Sequence, residues 1–372
     1  MGLRARVLLA STLALLLAAA TAPAAFAVSA SVRVEGASYQ VAPATTVNVP
    51  ASGTIADTDG TTFTYSGANA MAALDRAAAL RGFTYGFNTT YGSPFLEMVA
   101  GLTADPSDWS NGWTYMVNGV GYPILDMGAA DCALHRGDSV VFTQNPDATF
   151  ERGAKLLRLR FSPGRGVKPG ESLRIRVVGD DTAKANSAAE ATRWGYDPVT
   201  NPDIVEKPAD FAPVIGATVH VGSRVYVDGS GDDVADGAIT VADLPRGTYG
   251  VWAEMPMDAD WSYVRSAVHR VNVDNGPVVK SVNARAALSG GRLTVRTAFT
   301  LDKRCDVRVT VSNKNGKRLA TMRAAGLGAG RHALVWRGKP GAAVTRLASF
   351  IVKATDEWGR VTTESIPVRV AR

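Results

Sequence analysis

This chain of 372 residues has two cysteines, four histidines and, beyond its first 27 residues, no long apolar run. Two cysteines are too few for a disulfide scaffold or a Cys-rich zinc site. Four scattered histidines leave no His-rich catalytic or metal centre. Nothing after residue 28 approaches the ~18 consecutive apolar residues of a membrane span. The signatures G-x-S-x-G, H-E-x-x-H, C-x-x-C and the P-loop are missing. Gly326-Leu-Gly328-Ala-Gly330 has the outline of a dinucleotide turn, but a strand pattern follows it rather than a helix. A pair of carboxylates can suffice for glycoside hydrolysis, but no large cleft-forming domain accompanies them here. The chain therefore reads as non-catalytic, with no cofactor and no metal. Its 46% hydrophobic content excludes bulk disorder.

What is present begins with an export signal. Arg4 and Arg6 precede an apolar stretch from Leu8 to Ala20, and Ala25-Phe26-Ala27 offers small residues for cleavage before Val28. No Cys follows the apolar stretch, so a lipoprotein anchor is not expected, and the C-terminus shows no sorting motif. The expectation is an exported protein, secreted or held non-covalently at the cell surface. Its Ala-, Arg- and Gly-rich usage suits a GC-rich bacterial genome.

The net charge of +6 conceals an asymmetry. Residues 28–147 carry 4 basic and 11 acidic side chains, residues 148–276 carry 15 and 18, and residues 277–372 carry 19 and 5. A block this basic projects a long-range field that favours anionic partners. For an exported chain those are wall polymers, lipid head groups or polysaccharides rather than nucleic acid. The alternative is a solvated surface that only maintains solubility. Asn145-Pro146-Asp147 and Asn275-Gly276-Pro277 separate the blocks. The expected domains are therefore 28–147, 148–276 and 277–372 after a signal peptide at 1–27.

In the first domain Ser31–Glu35 alternates as a half-buried strand. Asn69–Arg81 is the one convincing helix: Asn69 can cap it, Met71, Leu74 and Ala78 share a face, and Gly82 supplies the left-handed residue after it. Trp113–Val117 and Ser139–Phe142 read as strands, with Asn118-Gly119 a strong hairpin signal. Gly82-Phe83-Thr84-Tyr85, Ser93-Pro94-Phe95-Leu96, Trp113-Thr114-Tyr115-Met116-Val117-Asn118-Gly119 and Leu134-His135-Arg136-Gly137-Asp138 occur in that order. This set, over about residues 31–145, resembles the transcobalamin C-terminal-like domain (DUF4430). The resemblance implies a small α+β, β-grasp-like fold that binds rather than reacts. In the vertebrate carriers such a domain closes over cobalamin, whose partner helical toroid is missing from this sequence. Trp109, Trp113, Tyr115 and Tyr122 are the candidate ligand-binding residues, since flat rings stack on sugars or a corrin. For Trp113 and Tyr115, alternate positions of one strand, a core role is the competing reading.

Residues 148–276 read as an Ig-like β-sandwich spacer, with a long polar loop over 180–210 that has one helical turn around Ala188. Asp228, Asp232, Asp233 and Asp236 could offer oxygen ligands to Ca²⁺, or form an ordinary β-turn. His220 and His269 read as surface or packed residues. In the last block, Arg292–Phe299 and Cys305–Val311 alternate. Val307-x-Val309-x-Val311, Asn315-Gly316, Ala329-Gly330-Arg331-His332, Trp336 and Ala354-Thr355-Asp356 together resemble the FlgD-type Ig-like domain, although Arg337-Gly338 replaces its Asp-Gly. Arg292, Arg296 and Arg308 lie on the outward phase of their strands, where they could track a polyanion. Cys132 and Cys305 are expected as free, buried thiols.

The chain is thus expected to be mainly β, a small β-grasp-like domain followed by two Ig-like β-sandwiches. Its expected role is a secreted bacterial modular binding protein, with a small-molecule, corrinoid-like carrier as the alternative.

Overall fold

The computed structural model describes residues 27–37, 39–90, 92–104, 112–121, 128–144, 154–230, 234–256, 262–289, 292–313, 317–338, 347–367 and 370–371. Strands account for 57% and helices for 8%, so the protein is mainly β, its sheets forming β-sandwich-like domains. The chain divides into two compact units. The first comprises Met1–Leu159, Val177–Ala238 and Trp252–Val268; the second comprises Arg160–Arg176, Ile239–Val251 and His269–Arg372.

The first unit starts with strands β1 (Val28–Glu35), β2 (Gln40–Val49), β3 (Ser52–Ala56) and β4 (Thr62–Ser66). Helix α1 (Ala70–Arg81) follows, then β5 (Tyr85–Asn88), β6 (Phe95–Val99), β7 (Leu102–Thr103), β8 (Trp113–Val117) and β9 (Ser139–Gln144). The main sheet has the order β2-β1-β9-β8, with β1 and β9 parallel and the outer pairs antiparallel. A parallel pair cannot be joined by a tight turn; the chain between β1 and β9 supplies α1 and two small sheets. The Asn69 Oδ1 accepts the Ala72 N–H at 2.8 Å, and Gly82 (φ +74°) closes the far end of the helix. Such a cap is worth ~1 kcal/mol. The helix buries Met71, Leu74, Ala77 and Ala78 in a core shared with Val32, Val34, Val140 and Phe142. Its many alanines let the backbone come close to the sheet.

The middle of the chain forms β10 (Ala154–Ser162), β11 (Gly166–Val167), β12 (Leu173–Asp181), helix α2 (Ala188–Arg193), β13 (Thr218–Val221), β14 (Arg224–Val227), β15 (Ala238–Val241), β16 (Gly247–Glu254), β17 (Ser262–Val264) and β18 (His269–Val273). Within the first unit, β13 and β14 form a hairpin and Ala154–Leu156 pairs in parallel with Ser262–Val264. Within the second, Gly166–Val167 pairs in parallel with Asn272–Val273, and Gly247–Val251 runs antiparallel to β18.

The second unit ends in a sandwich built from β19 (Val279–Ser289), β20 (Arg292–Leu301), β21 (Cys305–Asn313), β22 (Arg318–Leu327), β23 (Gly330–Gly338), β24 (Leu347–Asp356), β25 (Val361–Pro367) and β26 (Val370–Ala371). One sheet has the order β23-β20-β19-β26 and the other β22-β21-β24-β25. Strict alternation sends Leu293, Val295, Phe299 and Leu301 of one sheet, and Val307, Val309, Val311, Phe350 and Val352 of the other, into a common core. Trp336 is half-buried against that core.

Candidate functional site

The aromatic candidates of the first unit divide by burial. Trp113 and Tyr115 are both buried on the inner side of β8. The Trp113 Nε1–H donates to the Leu102 carbonyl at 2.9 Å. The Tyr115 ring stacks on Phe142 with centroids 5.8 Å apart, and burial pushes its phenol upward, with Cys132 adding to the effect. Burial likewise raises the Cys132 thiol to about 11, partly offset by Tyr115 and Arg193. Both rings belong to the packed interior. Trp109 and Tyr122 lie outside the described residues.

The remaining motif residues organise a half-buried polar network around buried Asp138. Asn118 has φ +55° and Gly119 φ +88°, which closes the turn after β8. The Asn118 Oδ1 accepts the Ser139 N–H at 2.9 Å, while its Nδ2 donates to Asp138 at 3.0 Å and to Glu190 of α2 at 3.1 Å. Arg193, also on α2, donates to both Asp138 oxygens at 3.1 and 2.7 Å. Burial opposes the charge of Asp138, but Arg193, the His135 N–H and Asn118 outweigh it and hold the carboxyl below its usual range. Alongside this network, Arg158 pairs with Asp180, and Asn186 donates to the Asn118 carbonyl at 2.6 Å. Burial raises Asp180 to about 6 despite Arg158. Glu35, buried between Arg33 (3.2 Å) and Arg265 (3.7 Å), is also raised by burial.

Asp228 is buried, and its oxygens accept the N–H groups of Gly216 (2.8 Å), Gly237 (3.0 Å) and Asp236 (3.2 Å). Its carboxylate therefore fastens a turn. Asp232 and Asp233 lie outside the described residues, and among the described residues no group of three or more His, Cys, Asp or Glu could hold a metal ion. His220 stacks face to face on Trp252 at 3.7 Å and bonds to Glu254 at 2.8 Å, while His269 packs edge-on against Phe161. Both cysteines are free and buried.

The charge of the C-terminal sandwich collects on its two outer faces. On the first sheet, successive rows of cross-strand partners read Lys280–Thr300–Arg331, Asn283–Ala298–Ala333 and Arg285–Arg296–Val335. Arg337 lies opposite Thr294 in the next row, and Arg292 continues the outward phase of β20. Lys280, Arg285, Arg292, Arg296, Arg331 and Arg337 are all exposed, and no ion pair engages them among the described residues. The rows given above contain no carboxylate. Asn283, Arg285, Arg296, Ala298, Arg331, His332 and Ala333 line a shallow cavity of about 570 Å³. The small Ala298–Ala333 row forms its floor between two cationic rows. With ~6.8 Å for every two residues along a strand, the flanking rows stand ~13 Å apart.

Arg308 lies on the other sheet. It is opposite Arg323 on one side and Lys353 on the other, which gives three adjacent strands a continuous cationic row ending at Thr363. A second cavity of about 280 Å³ is lined by Asp306, Arg308, Arg323, Ala324, Ala325, Lys353 and Thr355 among others. Asp306 is the one carboxylate there, and it accepts the Gly326 N–H at 2.7 Å. Of the three arginines singled out from the sequence, Arg292 and Arg296 thus share a face and Arg308 does not.

Arg285, Arg331, Arg323 and Lys353 were not among the residues picked from the sequence. For Arg285 the alternation rule misleads. A bulge between Lys280 and Asn283, with Ser281 at φ +51°, shifts the phase of β19, so Lys280 and Arg285 emerge on the same side despite opposite parity.

Residues 67–145 match the family described as "Domain of unknown function (DUF4430)". The match covers the helix, the hairpin turn and Asp138, while Glu190 and Arg193, which partner Asn118 and Asp138, lie beyond it. No curated protein matches the chain. Among solved structures, the chain is similar to a β-glucuronidase from Parabacteroides merdae at 13% identity and a TM-score of 0.23, covering 28% of this chain and 14% of that one. It is also similar to the human OSCAR ligand-binding domain at 11% identity and a TM-score of 0.25, covering 58% of this chain and all of that one. The chain spans about one seventh of the length of the glucuronidase, and neither likeness bears on function at such scores. Among the described residues no helix is long and apolar enough to cross a membrane.

Proposed function

We propose that this chain is an exported, non-catalytic bacterial binding protein whose basic C-terminal sandwich holds an anionic polymer of the cell envelope. In this reading the DUF4430-containing region recognises a separate ligand or surface partner, and the middle region is an Ig-like spacer. The supporting observation is the six-cation face of the first sheet, where no described carboxylate neutralises the charge. Arginines placed directly opposite each other, such as Arg285 and Arg296, destabilise a sheet. A face that retains them is suited to an anion, which relieves that repulsion. Co-sedimentation of the chain with purified cell walls tests the reading. Retention at low ionic strength and release in about 1 M salt, where screening is nearly complete, is expected. Retention no better than that of a neutral Ig-like protein would remove it.

The alternative is a corrinoid carrier. It rests on the likeness of the motifs around Trp113–Gly119 and Leu134–Asp138 to the transcobalamin C-terminal-like domain. Equilibrium dialysis of the chain against cobalamin decides it, and absence of measurable binding eliminates it.

A further inference from the structure

We propose that the C-terminal sandwich is two-sided, with a separate anion site on each outer face, so that one chain can bridge two strands of a linear oxyanion polymer. The proposal rests on the polymer-binding reading above and adds to it a stoichiometry and a consequence. The first site is the trough between the Lys280–Arg331 and Arg285–Arg296 rows, floored by Ala298 and Ala333. A strand of polymer lying across β19, β20 and β23 would meet cations on both flanks. The second site is the single row Arg323–Arg308–Lys353, which crosses three strands of the opposite sheet. At ~4.8 Å per strand its cations span ~10 Å, enough for successive charges of a linear polymer. The two sheets pack through one apolar core. Stacked sheets lie ~10 Å apart, so the outward faces look in opposite directions and a short segment cannot occupy both.

The recognised chemistry is a linear polymer with a phosphate or carboxylate on each repeat. Five of the six cations of the first face are arginines, whose planar fork binds either group through two parallel hydrogen bonds. Two probes distinguish these sources: inorganic polyphosphate and polygalacturonate. All the cations named are solvent-exposed. Replacing them with glutamine removes charge without opening the core, and unchanged thermal unfolding confirms that each variant is folded.

The experiment titrates the full chain with short polyphosphate for stoichiometry and with long polyphosphate for light scattering, then repeats both with polygalacturonate. Two segments bound per chain and strong scattering with the long polymer are expected. Arg285→Gln/Arg296→Gln/Arg331→Gln and Arg308→Gln/Arg323→Gln/Lys353→Gln should each bind one segment and lose the scattering, and the sixfold variant should bind none. One segment per intact chain, or complete loss of binding in either triple variant, overturns the two-sided arrangement while leaving polymer binding in place. No binding of either probe by the intact chain overturns the parent reading as well.

Discussion

The DUF4430 region and the C-terminal sandwich use charge in opposite ways. In the first, buried Asp138 is satisfied by Asn118, by a backbone N–H and by the half-buried Arg193 of α2, which also pairs with Glu190. In the second, the corresponding resource is outside: arginines face arginines across strands, with no ion pair to them among the described residues. A buried carboxylate without partners is costly, so the groups around Asp138 are a structural commitment. Exposed like charges contribute nothing to folding and mildly oppose it. The contrast separates residues that hold the fold from residues left available to something else.

Five substitutions would break or sharpen that contrast. Arg193→Met removes the partner of buried Asp138 and should lower stability by about 3 kcal/mol, read from chemical denaturation. A loss below ~1 kcal/mol would mean that the network is dispensable. Asp228→Ala leaves three N–H groups of its turn without their acceptor and should cost about 2 kcal/mol by the same measurement.

Acidity should affect Asp180 and Asp274 in opposite directions. Asp180, in the first, has a folded value of about 6, above its ordinary 3.8. Its contribution is complete below pH ~4 and is lost as pH rises through about 6. Asp274, in the second, is held down to about 2: burial opposes its charge, but Lys303, the Gly276 N–H and Arg360 prevail. Its contribution is present above pH ~4 and is lost as pH falls toward about 2. Thermal melts across pH 2–7 with Asp180→Asn and Asp274→Asn variants would show whether each pH dependence disappears with its own carboxylate. Finally, Arg296→Gln should leave stability unchanged or raise it by about 0.2–1 kcal/mol while weakening wall retention. A clear destabilisation would place Arg296 among the fold-holding charges.

Local features of this fold were legible in the sequence. Asn69 and Gly82 bracket the helix as their capping chemistry requires, and the strands at Trp113, Arg292 and Cys305 begin where alternation begins. The helical turn expected near Ala188 exists as α2. Information that depends on distant partners was not legible. Arg193 meets Asp138 across 55 residues, and no periodicity announces that pairing. Outward phase identified Arg292, Arg296 and Arg308 as exposed, but phase does not say which sheet a strand joins. The bulge in β19 hid Arg285 for a related reason, since one extra residue inverts every later assignment. In the DUF4430 region the residues that carried the resemblance, Trp113, Asn118 and Asp138, secure the scaffold. A motif of this kind marks a fold more firmly than it marks a ligand.

The six-cation sheet also bears on how copies of this chain treat one another. An open β face with small side chains at its centre is a natural surface for a second identical sheet to stack on. Here the Ala298–Ala333 floor is flanked by charges of one sign, so two such faces repel at the separation where they would begin to pack. The same strands therefore oppose face-to-face stacking of two copies, and a polyanion that neutralises them would also remove that barrier.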